Sequence, residues 1–84
     1  MTDIYRIIGI KIFDRIKEAG NVQKVLTKYG CSIKTRVGLH EVSEKHCSTS
    51  GLIIIELTGP EADQLKLADE LNQIQGISVR SMEF

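Results

Sequence analysis

The order of elements read from this sequence is strand, helix, strand, strand, helix, strand. It predicts an α+β domain, a ferredoxin-like βαββαβ sandwich in which a four-stranded antiparallel sheet carries two helices on one face. Three observations carry that prediction. Isoleucine-rich runs open the chain and recur at Leu52–Leu57. Each run is followed by apolar residues at steps of three and four. Glycine stands where each periodic stretch ends. With 84 residues, the chain 1–84 is a single domain.

The first strand is read over Ile4–Phe13. Its β-branched residues fall on both parities, which is the mark of a central strand covered on two sides. Asp14 then offers a capping carboxylate, and Ile16, Ala19, Val22, Val25, Leu26 and Tyr29 make one stripe of a helix. A later start capped by Asn21 is the rival reading, because Gly20 interrupts the stripe. Gly30 fits a left-handed C-terminal cap.

From Cys31 to His40 apolar and polar residues alternate. Cys31, Ile33, Thr35, Val37 and Leu39 are expected on one face, and Ser32, Lys34, Arg36, Gly38 and His40 on the other. Glu41–Gly51 is polar and serine-rich and reads as a long hairpin loop. Leu52–Leu57 is the third strand. Pro60 suits the first position of a second helix whose stripe is Ala62, Leu65, Ala68, Leu71 and Ile74, closed by Gly76. The last strand, Ile77–Phe84, is apolar at Ile77 and Val79 and then at Met82 and Phe84. That change of parity predicts a bulge or a face buried against a partner.

Two helices cover only one side of such a sheet. Ile7, Leu52 and Ile54, or their neighbours, are left on the other side, and an open apolar patch on a small domain marks a partner surface. A homodimer through sheet faces or edges is therefore expected. Eleven Lys and Arg against eleven Asp and Glu give zero formal net charge, without the basic surplus a general nucleic-acid binder needs. The apolar stretch at the start carries Arg6 and Lys11 and has no cleavage site after it, so it is neither a signal peptide nor a membrane span. A cytoplasmic protein without membrane contact is expected.

Chemistry-bearing residues cluster once. His40, Glu41, His46 and Cys47 gather at the tip of the hairpin if the second and third strands pair. Imidazole and thiolate suit zinc, nickel or copper, so His40, His46 and Cys47 are candidate metal ligands; the competing reading is a solvated polar loop. Cys31 starts the strand that His40 ends, roughly 30 Å away at 3.3 Å per residue, so it is expected to be a small buried residue outside the cluster. Catalysis by Cys47 would need an oriented base and a water-excluding pocket, neither of which a polar loop offers, and no enzymatic activity is expected. Lys34, Arg36 and His40, with Lys11 and Arg80 nearby, form a basic row. It could hold a small anion, form ion pairs with Glu56 across a dimer, or be solvated. Arg36, His40 and Glu41 are the candidate effector-binding residues.

Other activities of this architecture find no support in the residues. Base-stacking aromatics are missing from the third strand, no CxxC follows the first strand, and no glycine-rich phosphate loop is present.

The stretch "RVGLHEVSEKHCSTSGLIIIEL", the early Phe13-Asp14-Arg15 and the late "LNQIQGISVRSMEF" resemble a family of small stand-alone ACT-like proteins, the iron-only hydrogenase system regulators. These are similar in turn to the C-terminal regulatory domain of the nickel-responsive repressor. The resemblance covers nearly the whole chain and is most specific at Asp14-Arg15, Arg36-Val37-Gly38 and Gly76-Ile77-Ser78-Val79. It implies an ACT-like regulatory fold that forms dimers or tetramers and senses a small ligand. The repressor's DNA-binding ribbon-helix-helix has no counterpart here, so direct operator binding is not expected.

Overall fold

A computed structural model describes residues 5–42 and 47–84. The elements are β1 (Arg6–Ile12), α1 (Arg15–Lys28), a 3₁₀ turn (Gly30–Ser32), β2 (Ile33–Val42), β3 (Cys47–Leu57), α2 (Glu61–Asn72) and β4 (Ile77–Glu83). The strands form one antiparallel sheet in the order β2-β3-β1-β4. This is the predicted ferredoxin-like βαββαβ fold, with β1 in an interior position.

The core lies between the sheet and the helices. Ile8, Ile10 and Ile12 of β1 pack with Ile55 and Leu57 of β3, Val22 and Leu26 of α1, and Leu67 and Leu71 of α2. All nine are buried. Each such side chain contributes about 1.5–3 kcal/mol by leaving water. The alternating burial of β1 follows from its pleat: even-numbered residues meet the helices and odd-numbered ones the other face.

Helix α1 begins as Asp14 predicts, with the Lys17 amide donating to Asp14 Oδ1 at 3.3 Å, and the later start at Asn21 is excluded. Three features of the helices depart from expectation. Gly30 is not a left-handed cap; it opens the 3₁₀ turn, where the Ser32 amide donates to the Tyr29 carbonyl. Pro60 is the residue before α2 rather than its first, and the buried face of α2 is Gln64, Leu67 and Leu71, with Ala62 and Leu65 exposed. The helix is rotated because Gln64 finds partners inside the fold. Its Nε2 donates to the Gly59 carbonyl and its Oε1 accepts from Arg6. Apolar periodicity alone cannot see a satisfied buried amide.

Gly76 has φ +84°, and a Cβ built there would lie 3.1 Å from Glu18 Cγ, itself in a buried residue. Its carbonyl accepts the Phe13 amide, joining the end of β1 to the start of β4. Gly76→Ala combines a left-handed penalty with a steric one and is expected to cost about 1–3 kcal/mol, read from urea denaturation.

The strands bring further corrections. β2 has a register shift between Ile33, opposite Leu57, and Thr35, opposite Glu56. Ile33 therefore stays on the helix side, while Thr35 and Val37 pass to the other face and Arg36 to the helix side. The predicted single alternation from Cys31 to Leu39 is broken by this bulge. Cys31 lies in the 3₁₀ turn and is exposed, against the expectation of a buried residue. The segment read as a long loop is largely strand: β2 runs to Val42, β3 starts at Cys47, and only 43–46 separate them. β1 reaches β3 only as far as Gly51, and beyond it Cys47 pairs with Val42 of β2 after a second register shift, between His40 and Val42. Serine and threonine are as much at home in a strand as in a loop, so the composition of the segment does not tell the two apart. β4 pairs with β1 without interruption from Ile77↔Ile12 to Glu83↔Arg6. No bulge absorbs its parity change, so Met82 lies on the face opposite the helices.

Candidate functional site

The uncovered face of the sheet is the candidate site. Strand register arranges it in rows. Thr35, Glu56, Ile7 and Met82 form one; Val37, Ile54, Gly9 and Arg80 the next; Leu52, Lys11 and Ser78 continue it. Apolar side chains dominate the middle. Val37 is 45% exposed, Ile54 38% and Met82 56%, a large apolar exposure for so small a domain. At one end Tyr5 and Phe84 meet edge to face, with ring centroids 5.7 Å apart, and the Phe84 amide donates to the Tyr5 carbonyl.

Charge on this face is sparse and placed apart. Glu56 is half-buried, and its Oε1 accepts from the Thr35 hydroxyl at 2.9 Å. Hydrogen bonds from the Tyr5 and Thr35 hydroxyls hold its carboxyl below the ordinary carboxylate value of 4.5, against a smaller opposing push from burial. The same contact with Glu56 raises the Tyr5 phenol. A depressed carboxyl stabilises the folded state above its unfolded pKa, and that contribution is lost as pH falls through its folded value. In an NMR titration the Glu56 carboxyl is expected to titrate below 4.5 and to move back up in Tyr5→Phe. Lys11 and Arg80 stand on adjacent strands at diagonal positions, because Lys11 faces Ser78 and Gly9 faces Arg80. Among the described residues, Lys11 has no carboxylate within ion-pair distance, and Arg80 bonds only the Val79 carbonyl.

The basic row read from the sequence is thus divided. Lys11 and Arg80 belong to the open face. Lys34 sits at the bulge, and Arg36, on the helix side, donates to Gln23 of α1 at 2.5 Å. His40, opposite Gly51, and Glu41 lie in the last part of β2. Cys47 opens β3 opposite Val42, two residues from His40. His46 lies outside the described residues. Among the described residues no three His, Cys, Asp or Glu side chains form a metal-sized group.

Two polar clusters were not legible in the sequence. Arg6 occupies a helix-facing position of β1 and is only 3% exposed. Its Nη1 donates to Gln64 Oε1 at 2.9 Å, its Nε and Nη2 donate to Glu83 Oε1 at 3.2 and 3.0 Å, and Glu61 lies 3.5 Å from Nη2. The cluster fastens the end of β4 and the start of α2 to β1, directly behind Tyr5 and Met82. On the helix layer, Lys28 and Tyr29 at the end of α1 both donate to the Glu70 carboxylate. The Tyr29 hydroxyl, then Lys28, lowers the Glu70 carboxyl, which ties α1 to α2 at neutral pH.

Comparison with known proteins places this geometry. No family model matches the chain, and no curated protein matches it. Solved structures do. The uncharacterized protein TM1266 from Thermotoga maritima superposes with TM-score 0.79 at 23% identity, covering 98% of this chain and 99% of its own. The ACT domain from the GTP pyrophosphokinase of Chlorobium tepidum gives 0.65 at 20% identity, covering 96% and 100%. CPII, a nitrogen regulatory PII-like protein from Thiomonas intermedia K12 bound to ADP, AMP and bicarbonate, gives 0.56 at 14% identity, covering 98% and 93%. The fold is therefore ACT-like as well as ferredoxin-like. Among the described residues no helix is long and apolar enough to cross a membrane.

Proposed function

We propose that this protein is a non-enzymatic regulatory or sensor module that works as a homo-oligomer. The observation that carries the reading is the uncovered apolar sheet face, where Val37, Ile54 and Met82 stand exposed. A fold shared with the ACT domain of an enzyme and with a PII-like regulator that binds nucleotides supports a small-molecule effector. An effector bound at or near a subunit interface couples to assembly, because whatever binds one oligomeric state better shifts the equilibrium toward it. Arg36, His40 and Glu41 remain the proposed effector contacts, with Arg36 reaching the effector from the helix side of β2 rather than from the open face. The link to iron-only hydrogenase regulation rests on the sequence resemblance alone.

A second reading is metal binding by His40, His46 and Cys47, with zinc or nickel as the ion. It is favoured by the register that sets Cys47 opposite Val42, two residues from His40. Native mass spectrometry of tag-free protein titrated with zinc and nickel tests both readings. The regulatory reading expects an oligomer that takes up no stoichiometric metal. One ion per chain, lost in Cys47→Ala, would establish the second reading instead. Equal metal affinity in Cys47→Ala and the parent would overturn it.

A further inference from the structure

We propose that the open sheet face docks on the same face of a second copy, with Glu56 of each copy paired to Lys11 of the other. This rests on the homo-oligomer reading above and specifies its interface. Two sheets pack face to face when their inner faces are apolar and their strands run within about 30° of each other. The apolar condition is met here by Val37, Ile54, Ile7, Leu52 and Met82.

The charges fix the rest. Glu56 stays ionised on an apolar face, held by two hydroxyl donors with only a weaker, longer-range attraction from Lys34, and among the described residues Lys11 has no carboxylate within ion-pair distance. Covering either one without a counter-charge would be costly. Glu56 lies one register row on one side of Ile54 and Gly9, and Lys11 one row on the other. A two-fold axis in the plane of the face, passing between Ile54 and Gly9, exchanges their positions. It satisfies both charges twice per dimer, as an isologous interface requires. With about 4.8 Å between strands and about 3.4 Å per residue, that axis leaves the two strand sets crossing at roughly 40°, close to aligned packing. The analogous exchange of Glu56 with Arg80 would cross the strands at roughly 70°, between the two favoured packings. Lys11 is therefore the partner. The same axis sets Ile54 beside its symmetry mate and lays Val37 toward the partner's Leu52 row.

A charge exchange tests this. The dimer dissociation constant is measured by dilution calorimetry for the parent, Lys11→Glu, Glu56→Lys and the double exchange, with thermal melts confirming that each folds. Each reversal sets like charges together twice, and the expected loss is about 100-fold in affinity, with the double exchange recovering to within about tenfold of the parent. Glu56→Gln serves if Glu56→Lys does not fold, and is expected to weaken the dimer less than reversal does. A parent dimer indifferent to both single changes, or a double exchange as weak as the singles, overturns the Glu56–Lys11 geometry while leaving the oligomer in place. A monomeric parent overturns the oligomer reading and this interface with it.

Discussion

Ile54→Arg is expected to give a folded monomer. Ile54 sits at the centre of the open face, between Val37 of β2 and Gly9 of β1, and is 38% exposed in the single chain. An arginine there can reach water in the isolated subunit, so the fold loses little. In the dimer its guanidinium would be buried against apolar side chains and, beside a two-fold axis, against its own copy. Burying an unpaired charge at the centre of an interface costs about 3 kcal/mol or more, a dissociation constant raised at least about 100-fold. Sedimentation of the variant should show one monomeric species, with a far-UV spectrum matching the parent's. An Ile54→Arg protein that stays dimeric would remove this face from the interface.

Arg6→Ala is expected to be the most damaging change to the fold outside the apolar core. Arg6 is buried, and removing it leaves Gln64 Oε1 without its donor inside the protein and opens a void beneath α2. The Glu83 and Glu61 side chains are 57% and 53% exposed and can turn to water, so the loss falls below that of a fully buried ion pair. About 2–4 kcal/mol is expected in urea denaturation, part lost hydrogen bonding and part lost packing by the arginine stem. Glu83→Gln removes a charge from a carboxylate that is largely in water and should cost under about 1 kcal/mol. The contrast between these two variants separates the buried amide contact from the exposed ion pair.

The element order, the interior place of β1, the Asp14 cap and the uncovered face were all readable from the sequence. Each depends on apolar periodicity or on one local hydrogen bond. What the sequence concealed depends on long-range pairing. The bulge at Lys34 exchanges the two faces of β2, and no residue near it announces that shift. Gln64 replaces Leu65 on the buried face of α2 only because Arg6, 58 positions earlier, comes to meet it. Composition made the segment from Glu41 onward look like a loop, although threonine and serine also serve in strands. The basic row taken as one surface is spread over two faces of the sheet for the same reason: register, not spacing, decides which cations are neighbours.

Sedimentation velocity of the tag-free protein, from micromolar to near-millimolar concentration, tests the central claim most directly. The account predicts a concentration-dependent dimer or tetramer that the Ile54→Arg variant does not form. A single monomeric boundary for the parent across the whole range would contradict it.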